Sequence, residues 1–409
     1  MRIKRVAAAS LAAISVLGLS VVAGQPASAK TKTSATTNFC TVQNLAQAGG
    51  MDALVKAAKA EGKLNIITIP RDWANYGQAI DLFSKAFGIK IADDNPDGSS
   101  AYEIQTIKTA PASKQPDVVD IGATHTVEAI DAQGRSIFTP YKVSTWSDIA
   151  PAWKDPNGLW YGDYQGTISI AYDTSVTPAP TKISDLSNPA YKGMVALGGD
   201  PSGATEAFMS VFAASIANGG SVNDIKPGIE FFRTLKQSGN FVTVLASGAN
   251  LAAGAYKISL SWSFNGPGAI ASAAAIGKTI KYVTPSDAVL KGSPYIQAIN
   301  AKAPHCAAAR LWEEFLYSEG KGKLAGAVTS ADIKLPGSKL FALIMGGQNI
   351  WNLGAAHPIT EAAMIKKGTL VPAPAGFEIP KGAKPVSPTL DQQIPQQLVL
   401  KDMWPSVIS

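Results

Sequence analysis

Four times in this chain a short apolar stretch gives way to a loop of small, polar or aromatic residues, and the loop opens a helix. The loops are residues 70–76, 97–100, 122–125 and 200–205. The stretches Lys63–Ile69, Ile89–Ile91, Pro116–Ile121 and Met194–Leu197 have strand length and character, whereas 77–87, 101–109, the run to Gln133 and 206–218 read as helices. Such alternation predicts an α/β fold, a parallel sheet with helices on its faces. An aromatic-rich strand over Thr167–Tyr172 follows Tyr161 and Tyr164, which suits a chain leaving one domain for another. Strands at 258–263 and 281–285 and helices at 226–238, 303–318 and 391–402 complete the pattern. With 409 residues the chain is too long for one ordinary core and fits two domains of about 150 to 200 residues.

Residues 1–29 have the layout of a signal peptide: the basic head Met1–Arg5, an apolar run from Val6 to Gly24, and Ala27-Ser28-Ala29 as a cleavage signal. An uncleaved anchor is the alternative, disfavoured by Pro26 and the Ala and Gly content. Residues 30–45 read as a flexible tail. No cysteine stands at the cleavage point, so no lipid anchor is expected, and the mature protein is expected to be soluble, extracellular or periplasmic. The leader holds three of the 36 Lys and Arg and none of the 30 Asp and Glu, which leaves 33 basic against 30 acidic residues. That balance, without blocks of like charge, argues against nucleic acid or an anionic membrane as partner. Cys40 and Cys306 are the only cysteines. In an oxidising compartment they are expected to pair, tying the tail to a distant helix, with two buried free thiols as the alternative.

Enzyme motifs are missing. His125, His305 and His357 stand at no metal-ligand spacing, and no nucleophile elbow, phosphate loop or dinucleotide fingerprint occurs. No catalytic residue, metal or cofactor is expected. Asp117 and Asp120 flank a strand and read as structural. The loops do supply helix N-termini, with free N–H groups and partial positive charge, at the carboxyl ends of strands, where open α/β sheets hold ligands. The candidate ligand set is Asp72, Trp73, Tyr76, Ser99, Ser100, Thr124 and His125 from the first half. Tyr161, Tyr164, Ser202, Gly203, Thr205, Trp262, Phe264 and Asn265 complete it. Ser99, Ser100, Ser202 and Thr205 serve as readily as helix caps, and Trp73 and Trp262 as core.

Several stretches, in their order and spacing, resemble the extracellular solute-binding proteins of ABC importers. They are Ala86-Phe87-Gly88-Ile89-Lys90, Pro116 to Gly122, Asp155 to Gly162, Ile183 to Gly193 and Ala303 to Ser318. The closest branch groups spermidine/putrescine, iron(III) and phosphonate binders. The resemblance implies a two-lobed type II periplasmic-binding-protein fold, each lobe a mainly parallel sheet flanked by helices. Hinge strands would join the lobes, which close on a small solute and deliver it to a permease. Lobe 1 would hold residues 46–166 and 283–320, and lobe 2 residues 167–282 and 321–409, in a monomer. Residues 319–346 exceed the family pattern and read as a surface insertion.

The resemblance leaves the ligand open. Ferric-binding members use adjacent tyrosines, and no Tyr-Tyr pair occurs here. A polyamine or other organic cation would use Asp72, Asp163 and Glu206 with Trp73, Tyr161 and Trp262, although no acid adjoins Trp262. An organophosphonate or other anion would use Ser99, Ser100, Ser202, Gly203, Thr205 and Arg71. The organic cation is weakly favoured. A secreted enzyme or surface protein is the remaining alternative.

Overall fold

The computed structural model describes residues 37–317 and 379–409, apart from Asp72, Ala74, Asn75, Thr145, Ala150 and Gln165. The expected leader, the start of the tail, the candidate Asp72 and the 319–346 insertion lie outside the described residues.

The first lobe is built on β1 (Lys63–Ile67) and β2 (Lys90–Asp94), paired in parallel. β3 (Val118–Gly122) lies on the other side of β1, joined by the Asp117 N–H to the Asn65 carbonyl at 2.8 Å. It pairs antiparallel with β11 (Tyr295–Asn300), which also takes β4 (Phe138–Thr139) and β5 (Tyr161–Gly162). Around these strands pack α1 (Met51–Glu61), α2 (Tyr76–Phe87), α3 (Ser100–Thr109) and α8 (Cys306–Leu316). α8 has no side-chain cap of its own. Glu61, the last residue of α1, accepts the Ala307 and Ala308 N–H groups at 3.0 and 2.7 Å, which puts a carboxylate on the positive end of the helix. Cys40 and Cys306 form a disulfide, Cα–Cα 4.9 Å, and the buried Arg310 guanidinium donates to the carbonyls of Cys40 and Val42 beside it.

The second lobe has a five-stranded sheet in the order β10 (Ile280–Val283), β6 (Ile168–Asp173), β9 (Ile258–Trp262), β7 (Val195–Leu197), β8 (Phe241–Leu245). β7 is parallel to both neighbours, whereas β10, β6 and β9 alternate in direction. Strand alternation sends Ile168, Ile170, Val195, Leu197, Ile258 and Leu260 into a core with α4 (Thr205–Ala217) and α5 (Lys226–Ser238). Ala171 and Ala196 face the other way, toward α6 (Gly248–Ala252) and α7 (Gly266–Ala275).

The chain passes between sheets twice, after β5 and before β11. The two crossing segments lie side by side, with Ile168 N–H to the Leu290 carbonyl and Gly292 N–H to the Gly166 carbonyl, both 3.0 Å. Gly292 is required there: a Cβ would stand 2.2 Å from the Trp262 ring. A third segment joins them: the Lys291 N–H donates to the Val386 carbonyl and the Val386 N–H to the Val289 carbonyl, both 2.8 Å, and α9 (Leu390–Met403) and α10 (Pro405–Ile408) follow. The helix expected to run to Gln133 is a 3-10 segment, Ala123–Glu128. The Asp131 carboxylate accepts the Gln133 and Arg135 N–H groups and folds the chain into a turn instead.

Candidate functional site

Between the two sheets lies a cavity of about 190 Å³. Its walls are the loop after β1, the start of α3, the end of β3, the first turn of α4 and the end of β9. The Ala101 N–H donates to the Gly203 carbonyl at 3.3 Å, and the Ser100 and Thr205 hydroxyls are 3.4 Å apart, so the lobes meet across it. Gly122 sits flush against Thr205; a Cβ would come within 2.1 Å of the hydroxyl.

Carboxyl groups converge on this space. Glu103, on α3, accepts the Asp120 N–H through Oε2 at 3.1 Å. Asp120, in β3, accepts the Tyr164 hydroxyl through Oδ2 at 2.8 Å, and Tyr164 accepts the Trp73 indole N–H at 2.8 Å. From the other lobe Glu206 Oε2 accepts Ser261 Oγ–H, Trp262 N–H and Asn265 Nδ2–H at 2.9–3.1 Å. Glu103 Oε1, Asp120 Oδ1 and Asn265 Oδ1 are buried without a hydrogen-bond partner among the described residues. Asn265 Oδ1 is an acceptor, each carboxyl oxygen is one when the acid is ionised, and an unmatched buried polar atom is costly. Burial pushes the Glu103 and Asp120 carboxyls well above the ordinary range, with Asp163 adding to the rise at Asp120. Burial raises Glu206 to about 7, against the pull of its three donors.

Aromatic rings close the back. Tyr164 and Tyr295 stack at 5.2 Å, Trp262 and Phe264 at 5.6 Å, and Trp73 meets Phe264 and Tyr295 at 5.9 and 5.7 Å.

Of the sequence candidates, Trp73, Ser99, Ser100, Tyr164, Thr205 and Asn265 line the cavity, and Trp262 and Phe264 form the wall behind it. Tyr76 lies beneath, bonded to Asp163. Gly203 and Ser202 sit at the rim; Gly203 touches α3, and the Ser202 N–H turns back to Asp200. Tyr161 packs against Tyr317 and Trp146, away from the cavity. Thr124 and His125 are buried away from it too, the His125 ring between Glu128 and Gln397 of α9. Asp117 is structural, holding the Asn65 and His305 N–H groups. Its neighbour Asp120, read the same way, lines the cavity, as do Glu103 and Tyr295, which the sequence reading passed over. An acid inside the apolar run Val118-Val119-Asp120-Ile121 was the available signal.

The model of the bacterial extracellular solute-binding proteins matches residues 113–329, more than half of the chain. The chain belongs to this family. Solute-binding proteins of this kind are the substrate-binding components of ABC import, taking up a small molecule outside the cytoplasm and passing it to a permease; they are not enzymes. This solute-binding protein is similar in fold to the periplasmic binding protein P5PA (16% identity, TM-score 0.57, 85% of this chain and 100% of that one). It is likewise similar to AfuA from Actinobacillus pleuropneumoniae, solved with fructose-6-phosphate (16%, 0.57, 85% and 99%), and to a periplasmic thiamin binding protein (15%, 0.54, 85% and 96%). No curated protein matches it.

Proposed function

We propose that this solute-binding protein captures an organic cation. The observation that carries the reading is that three residues with an unmatched buried oxygen, Glu103, Asp120 and Asn265, line one cavity beside aromatic rings. Acceptors without donors call for a ligand rich in N–H or cationic C–H groups, and the rings favour a positive charge near their faces. An oxyanion would face the same carboxyls, and the N–H groups it needs are already engaged: Ala101 with Gly203, Tyr102 with the Ser99 cap. Glu103, Asp120 and Glu206 line the same cavity, but among the described residues no three acid, His or Cys side chains are placed to hold one metal ion such as iron.

The cation enters between the lobes, which exchange chain at the Gly166 and Gly292 crossings and close as Thr205 seats on Gly122. A leader at residues 1–29 would export the protein, which acts as a monomer. A melting panel of polyamines, quaternary ammonium compounds, thiamine, aminophosphonates and ferric citrate tests the reading. An organic cation well above its Kd raises the melting temperature and the anions do not. A panel in which only an anion or ferric citrate raises it overturns the proposal.

A further inference from the structure

The cavity continues past Glu206 into the second lobe, beneath α6 and α7. Strand register lays Tyr282, Ala171, Ser259 and Ala196 abreast across β10, β6, β9 and β7, on the sheet face opposite Leu260. Above that floor α7 offers Ala269, Ser272 and Ala273, and Leu251, Tyr256 and Ile280 line the sides. Small residues on both floor and roof leave a slot with aliphatic and aromatic flanks.

Acids are concentrated at one end, and the far limb adds Asp173 and the basic Lys257. Glu103, Asp120 and Glu206 stand at the mouth of the slot. Among the described residues lining the far limb the one acid is Asp173. It already accepts the Ser175 N–H at 2.8 Å and lies 4.0 Å from Lys278. At the junction Asn265 is 9% exposed, lines the cavity and has an Oδ1 without a hydrogen-bond partner among the described residues.

We propose that the solute is a monocation carrying an apolar arm: the charged head lies among Glu103, Asp120 and Glu206, and the arm fills the slot under α7. A polyamine would carry its second charge into a limb where the only carboxylate is taken. This inference rests on the cation reading and adds to it the shape and charge count of the ligand.

Titration calorimetry on the full chain separates the two. The probes are tetramethylammonium (head alone), benzyltrimethylammonium (head and arm) and spermidine (several charges). The expected result is benzyltrimethylammonium binding at least about tenfold more tightly than either of the others. Ala269→Phe, which fills the slot, brings the affinity for benzyltrimethylammonium down to that for tetramethylammonium. Ala273→Leu repeats the test should Ala269→Phe misfold, and the wild-type ratio stands without either variant. Equal affinity for the two ammonium probes, or tightest binding of spermidine, overturns the arm while the cation reading stands. Binding of none of the three overturns the cation reading and this inference together.

Discussion

A carboxyl group buried in a cleft has two uses for its proton, and Glu206 shows both. Burial raises it from 4.5 to about 7. Between those values the folded chain keeps a proton that the unfolded chain has released, so stability falls as pH rises through that window. Glu103 and Asp120, also raised, extend the fall in the same direction. The ligand-free protein is therefore expected to melt higher near about pH 5 than near about pH 8. Glu206→Gln flattens the part of that slope below 7, as a pH series of calorimetric melts would reveal. A cation needs the ionised forms, so its affinity climbs over the same window. Asp120→Asn keeps the Tyr164 hydrogen bond and loses the charge. It should weaken cation binding by roughly ten- to a hundredfold, the range for one charge-assisted contact, and leave the ligand-free melt unchanged or higher; titration calorimetry reads the affinity. At this scale the sequence was half legible. Trp73, Tyr164 and Asn265 stood out as aromatic or polar residues at strand ends. Glu103 did not, because a Glu on a helix usually faces water, and only the packing of α3 on β3 turns it inward. His125 misled for the converse reason: its loop reaches a strand end, but α9, distant in sequence, covers it.

At the level of elements, most strands and helices follow from periodicity and loop chemistry, because each is set by its own residues. Pairing partners do not follow. β11 is the middle strand of its sheet, yet it arrives after the whole second lobe, and nothing local to Tyr295–Asn300 announces its neighbours. The joints between elements give two checks. Gly292→Ala would drive a methyl group into the Trp262 ring, and overpacking of this kind costs about 1–3 kcal/mol. Denaturant melts should record that loss. Replacing Cys40 and Cys306 by Ser frees the N-terminal segment from α8 and should cost about 2–4 kcal/mol, with the same loss on reduction of the wild type. α9 joins the crossings to both lobes. Gln397 and Lys401 reach His125 and Glu128, while Gln396 reaches the start of α5 and Ser406, on α10, accepts from Arg233. His125 and Lys401 hold Glu128 down at about 2, so this tie persists at neutral pH and loosens as pH falls from 4.5 toward 2.

For the whole molecule, the proposed capture turns on two bodies meeting along a small contact. Thr205 rests against Gly122, with no room for a Cβ. Gly122→Ala leaves each lobe intact and wedges the contact. The variant should melt close to the wild type, bind cations more weakly, and show by solution scattering a larger radius of gyration in the presence of ligand than the wild type does. A wild-type affinity in Gly122→Ala would mean that closure at this point is not part of capture.

The staple between Cys40 and Cys306 carries a consequence for biogenesis. In a chain that emerges amino end first, Cys40 precedes its mate by 266 positions, with the entire five-stranded body between them. The first lobe is thus begun before the five-stranded body and completed only after it. During export its early strands must wait, with their apolar faces uncovered, for β11 and α8 to come through.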